Sequence, residues 1–130
     1  MASRSSECVW WAVALFVLVT TGLATAFIRG PRFWNGYVLD MVGPAWTYIL
    51  IRGLFTDAQP AMLSKYLNPE AAFILCAAAC FLIEGAQYLE LYDAYYDPYD
   101  FLAYVSLLLP CYVADRWLSS RRSRDTAARE

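Results

Sequence analysis

Glu84 and Gln87 stand three residues apart in an apolar run that extends from Glu70 to about Tyr92. On a helix that spacing puts both on one face, so the amide can orient the carboxylate by hydrogen bonding. A carboxylate in such surroundings is costly, and it persists only when it faces other protein, finds a partner or holds a proton. Other acids sit at the ends of the neighbouring apolar runs: Asp40 near the start of one, and Asp97 and Asp100 opening another. Arg29 and Arg32 follow a further run on the side where these acids fall. Guanidinium groups hold phosphate or pair with carboxylates, and the carboxylates hold hydroxyls or a counter-cation. The expected site is therefore Arg29, Arg32, Asp40, Glu84, Gln87, Asp97 and Asp100. It is either an outward-facing pocket for a polar ligand or, with Glu84 paired to Arg29 or Arg32, a lock between helices. Glu84 is the deepest member, about eight residues or ~12 Å from the end of its helix. Asp40, Pro44, Thr47 and Tyr48 form a comparable stripe on the second helix.

Other chemistries find less support. The chain has no histidine, and Cys8, Cys76, Cys80 and Cys111 lie in or beside apolar runs without a Cys-x-x-Cys pair, which suggests neither a zinc site nor a disulfide framework. They read as small buried hydrophobes. No Ser or Cys nucleophile has a credible base beside it, so a non-enzymatic role without metal or cofactor is expected, with acid/base or proton-carrying work at Glu84 as the alternative. A net charge of −2, with basic residues scattered over loops and the C-terminal end, excludes nucleic acid as a partner.

The elements that must position these residues follow from hydropathy. A chain of 130 residues that is 60% hydrophobic and 17% charged cannot bury its apolar side chains in a water-soluble core. The expected fold is an all-α integral membrane four-helix bundle with short loops. Its four spans run at about 8–28, 37–55, 70–92 and 98–118, each near the ~20 residues that cross a hydrocarbon core. Asn68-Pro69 and Asp97-Pro98 are cap-then-proline starts for the third and fourth, with Asp100 as a first-turn acid. Pro110 is expected to kink the fourth, and Arg52, near the end of the second, to snorkel to the interface. Ala24-Thr25-Ala26 mimics a signal-peptide cleavage site, but the first run is long enough to span and is read as a retained helix. The tyrosines between Tyr88 and Tyr104 read as an interfacial aromatic belt. Residues 119–130 read as a disordered basic tail whose Arg121, Arg122 and Arg124 record topology and a weak attraction to anionic lipid.

Arg4, Arg52, Lys65, Arg116 and the tail arginines share one side of such a bundle, against Arg29 and Arg32 on the other. Both termini are therefore expected in the cytoplasm. The third loop is short, so the third and fourth helices should be antiparallel neighbours, with Glu84 and Asp100 on the same side.

One ordered set of residues suggests kinship: Phe27-Ile28-Arg29, then Phe33, Gly36 and Asp40 followed by Tyr48, then Glu84-x-x-Gln87 and Asp97-x-x-Asp100. It resembles the VanZ-like superfamily and a related family of short bacterial inner-membrane proteins of unknown function. Those proteins have an Arg before the second helix, an acid at its start, Glu-x-x-Gln in the third and Asp-x-x-Asp ahead of the last. The likeness covers Phe27 to about Asp115. It departs in the last helix, where this chain has Tyr104, Val105 and Ser106 in place of the usual Asn and Gly. The resemblance implies a bacterial inner-membrane protein with an envelope-related role, the named member being associated with glycopeptide-antibiotic resistance, and it supplies no enzyme activity. The expected partners are membrane lipids, with a larger membrane complex or a homo-oligomer as the other possibility.

Overall fold

The computed structural model describes residues 4–56, 66–91, 93 and 96–129, and its regular elements are all helices. Lys65, Tyr92, Tyr95 and Glu130, which entered the expectations on orientation, aromatic belt and tail, lie outside the described residues. Among the described residues four helices follow in order: α1 (Arg4–Phe27), α2 (Arg32–Arg52), α3 (Pro69–Tyr88) and α4 (Tyr99–Ala127). Of these, α1, α3 and α4 are long and apolar enough to cross a membrane. The remaining helix, α2, carries Arg32, Asp40 and Arg52 and has the innermost position, packing against each of the other three and most extensively against α4. Lipid-facing surface demands apolar side chains, whereas a helix surrounded by protein can carry polar ones.

Cross-links at both ends fix the directions. At one end, Glu7 of α1 pairs with Arg122 of α4, and Arg52 at the end of α2 reaches Asp115 of α4 and the Leu67 carbonyl just before α3. At the other, the Tyr37 hydroxyl of α2 donates to Asp97 ahead of α4, and the Tyr104 hydroxyl of α4 donates to Glu84 of α3. Successive helices are therefore antiparallel.

Local chemistry sets the helix boundaries. After Phe27 the chain turns through Gly30 and Pro31, and the first turn of α2 folds back to seal the loop: Trp34 Nε1 donates to the Ile28 carbonyl at 2.9 Å and Asn35 Oδ1 accepts from the Gly30 amide at 3.3 Å. These bonds start α2 at Arg32 and not at the expected Tyr37. Gly53, at φ 57° and ψ 34°, ends α2 in the left-handed region. Its amide bonds the Leu50 carbonyl and the Leu54 amide bonds the Ile49 carbonyl, a Schellman closure in which Leu54 and Ile49 are both buried. The Asn68 side chain accepts from the Ala71 amide at 2.7 Å ahead of Pro69, as its sequence signal predicts.

Two expectations need correction. Residues 119–127 are not a disordered tail but the continuation of α4. Ser120, Ser123 and Thr126 hydroxyls bond carbonyls one turn back, Arg121 stacks on Trp117, and Arg122 is anchored on Glu7. Arginine and alanine are also good helix formers, so a polar composition did not imply disorder. Arg52 does not snorkel, because it is 7% exposed and paired inside the bundle.

The bundle reverses the polarity of a water-soluble domain. Phe16, Ile74, Leu82 and Leu102 are largely exposed, while Glu84 and Asp115 are fully enclosed. Such an exterior suits lipid, which solvates apolar side chains. α1 packs tightly on α2 at Gly22, where an added Cβ would run into the Trp46 ring and crowd Val42. Gly22→Leu is expected to push α1 off α2 and cost about 1–3 kcal/mol, whereas Thr20→Leu on the exposed side should be neutral. Unfolding midpoints of the two variants in one detergent check this; equal midpoints would mean α1 does not depend on that contact.

Candidate functional site

The interior holds two polar clusters, one toward each end of the bundle, and a single face of α2 serves both. Asp40, Pro44, Tyr48 and Arg52 follow one another at four-residue steps, which keeps them on one side of the helix. Asp40 meets the cluster shared with the end of α3 and the start of α4, while Tyr48 and Arg52 meet the other. Thr47, grouped with this stripe in the sequence, is exposed and donates to the Gly43 carbonyl within its own helix.

The first cluster centres on Glu84, which is 0% exposed. Its Oε1 accepts from the Tyr104 hydroxyl at 2.6 Å, and its Oε2 is buried with no hydrogen-bond partner among the described residues. Gln87, one turn further along α3, likewise has a buried Oε1 without a partner. Asp40 of α2 and Asp100 of α4 are close enough to Glu84, to each other and to the Tyr104 hydroxyl for their charges to interact. Antiparallel packing thus brings Asp40, Glu84, Gln87 and Asp100 together from three helices.

Asp97 stands at the rim and does two jobs. Oδ1 accepts from the Tyr99 amide at 3.0 Å, satisfying the first turn of α4, and Oδ2 accepts from the Tyr37 hydroxyl at 2.6 Å, tying that turn to α2. The Tyr37 bond, then the Tyr99 amide and the charge of Arg32, hold its carboxyl below the usual carboxylate range. Asp97 thus holds the first amide of α4 from one residue ahead of the N-cap position, which Pro98 occupies, and is also an interhelical contact that sequence did not disclose.

The arginines lie elsewhere than expected. Arg29 and Arg32 are exposed, and neither forms an ion pair among the described residues. Arg32 comes within electrostatic reach of Asp97 and Tyr37, at the rim, and the partner of Glu84 is Tyr104. Position explains this: Arg29 lies in the α1–α2 turn and Arg32 is the exposed first residue of α2, while Glu84 is enclosed. Tyr104 was legible only as a member of the aromatic belt. The overlooked signal is its place four residues after Asp100, on the same helical face.

The second cluster was missed altogether. Arg52 Nε donates to Asp115 Oδ2 at 2.6 Å and Nη2 to Oδ1 at 3.2 Å, a bidentate pair. The Tyr48 hydroxyl adds a bond to Oδ2 at 2.7 Å, Ser119 one to Oδ1 at 3.3 Å, and Arg52 Nη1 reaches the Leu67 carbonyl at 2.6 Å. Every charged atom here has a protein partner, so this cluster is a lock, in contrast to the incompletely satisfied one around Glu84. Beside it lies the apolar core of Trp11, Ile49, Leu54, Ala72, Cys76 and Leu108.

The Glu84 cluster is rich in acceptors and has Tyr104 and the Gln87 amide as its side-chain donors, so it suits a ligand that brings N–H or O–H groups, an ammonium above all. Among the described residues no group of three or more His, Cys, Asp or Glu is arranged to hold a metal ion, and no disulfide joins the cysteines. Compared with known protein families, curated proteins and solved structures, the chain matches none of them, and the two clusters with the helices that carry them are the ground on which a function is argued.

Proposed function

We propose that this chain is a non-enzymatic four-span module of a bacterial inner membrane, binding a donor-bearing envelope lipid headgroup through its outward-facing acidic cluster. The observation that supports it best is Glu84: fully enclosed, with one oxygen on Tyr104 and the other, like a second buried acceptor on Gln87, without a partner among the described residues. Buried acceptors are ordinarily satisfied, so two on one helical face call for a donor from outside the chain. Asp40 and Asp100 add negative charge for an ammonium or for hydroxyls, while Arg32 at the rim, with the exposed Arg29, serves the phosphate of the same headgroup. The α2 helix completes the fourth crossing, since it joins the end of α1 to the start of α3 across the length of the bundle. The arginine bias puts both termini in the cytoplasm, and the resemblance to VanZ-like proteins supplies the envelope setting.

A second reading, an accessory subunit of a larger membrane complex, is favoured by α1, which packs chiefly on α2 and leaves Trp10, Phe16 and Leu23 uncovered. Native mass spectrometry of protein extracted gently from its own membrane separates the two. A monomer or small homo-oligomer carrying an amine- or hydroxyl-bearing phospholipid is the expected result. Stoichiometric partner chains with no such lipid would sink the ligand reading and leave the acid cluster as a contact between helices or chains.

A further inference from the structure

At the opposite end of the bundle from Glu84, the start of α1 and the end of α4 diverge around a cleft of about 1380 Å³. We propose that this cleft binds an anionic membrane phospholipid, with its phosphate among the arginines of α4 and its glycerol and first acyl segments between the two helices.

Charge is the first argument. Among the described residues, Arg121, Arg122, Arg124 and Arg129, at the end of α4 or just past it, border the cleft against the carboxylates of Glu7 and Asp125, and Glu7 is already engaged by Arg122. The surplus is positive, and it lies at the helix ends, where a headgroup layer meets a membrane protein. Side-chain preorganisation is the second. Arg121 lies over the Trp117 ring, 3.5 Å from its centroid, so the ring takes the face of the guanidinium and its N–H edge is kept for an oxygen ligand. Arg122 places Nε and Nη2 on one oxygen of Glu7 and so ties the two walls together at a set separation.

Polarity along the cleft is the third argument and selects the ligand. Trp10 and Trp117 stand beside the arginines, as indoles do at a membrane interface, and Ala14 and Leu118 continue the lining with apolar surface. A free phosphate uses only the charged part. A phospholipid uses both, phosphate against guanidinium and glycerol with acyl chain against the apolar wall. This site shares no residue with the Glu84 cluster and stands or falls independently of it.

The test uses the full chain in mixed micelles containing equal amounts of dioleoylphosphatidylglycerol and dioleoylphosphatidylcholine, read by native mass spectrometry. One phosphatidylglycerol should be retained in preference to phosphatidylcholine. At about 1 kcal/mol per arginine near an anionic lipid, Arg121→Gln,Arg124→Gln should lower that retention roughly thirtyfold and leave phosphatidylcholine unaffected. Equal retention of the two lipids by the unaltered chain overturns the proposal, and this arm decides even if the double variant does not fold. Retention unchanged in a folded double variant also overturns it. So does displacement of the lipid by excess inorganic phosphate, which would make the site a receptor for the free anion.

Discussion

Asp115→Ala is expected to destabilise the bundle by about 3–5 kcal/mol, the largest effect of any single substitution considered. Its carboxylate is 1% exposed and neutralises Arg52, itself 7% exposed, while accepting bonds from Tyr48 and Ser119. Truncation leaves a guanidinium enclosed without its counter-charge, keeping only the Leu67 carbonyl at 2.6 Å, and removes the partner of a fully buried tyrosine. Removing the whole pair should cost far less. With Arg52→Met,Asp115→Leu no charge is left behind, and replacing a buried ion pair by apolar side chains of similar volume is often neutral or better. Unfolding midpoints of the single and double variants in one detergent make the comparison. A single variant as stable as the parent would mean that lipid or water reaches Arg52, and that the pair is not the lock its geometry describes.

Glu84→Gln is expected to leave the fold intact and abolish ligand retention. Glutamine keeps the volume and still accepts from the Tyr104 hydroxyl, so the contact between α3 and α4 survives. What disappears is the charge that an ammonium would meet. Losing one member of a desolvated charge pair costs about 2 kcal/mol or more, ~thirtyfold in affinity at least. The probe is dioleoylphosphatidylethanolamine against dioleoylphosphatidylcholine in the same micelles, with the unfolding midpoint recorded alongside. Loss of the ethanolamine lipid at an unchanged midpoint supports the headgroup site. A lowered midpoint with an unchanged lipid pattern would instead make Glu84 a structural contact, and the accessory-subunit reading would take precedence. Arg121 and Arg124 lie at the other end of the bundle, so their variants serve as a control.

The sequence by itself determined the helical class, three of the four expected apolar runs, the cap at Asn68-Pro69 and the presence of acids at one end of the bundle. These are local properties: hydropathy over some twenty residues, a cap read from adjacent positions, and an antiparallel return forced by a short loop. Asp40, Glu84, Gln87 and Asp100 could be grouped for that reason, because helix ends on one side must meet. Which side chains then touch is not local. Glu84 could be seen to need a partner, yet Tyr104 and the outward-lying Arg29 and Arg32 were equally compatible with the spacing. Only the packing of α3 on α4 selected the tyrosine. Arg52 and Asp115 lie more than sixty residues apart in sequence, each near the polar end of its apolar run, where a charge ordinarily needs no explanation. Tertiary structure alone, by making α2 the central helix, turned Arg52 inward and closed it on Asp115. The same holds for the end of the chain, whose composition suggested a solvated tail. Its helix is held by Glu7, a residue at the far end of the sequence that only the folded bundle brings near.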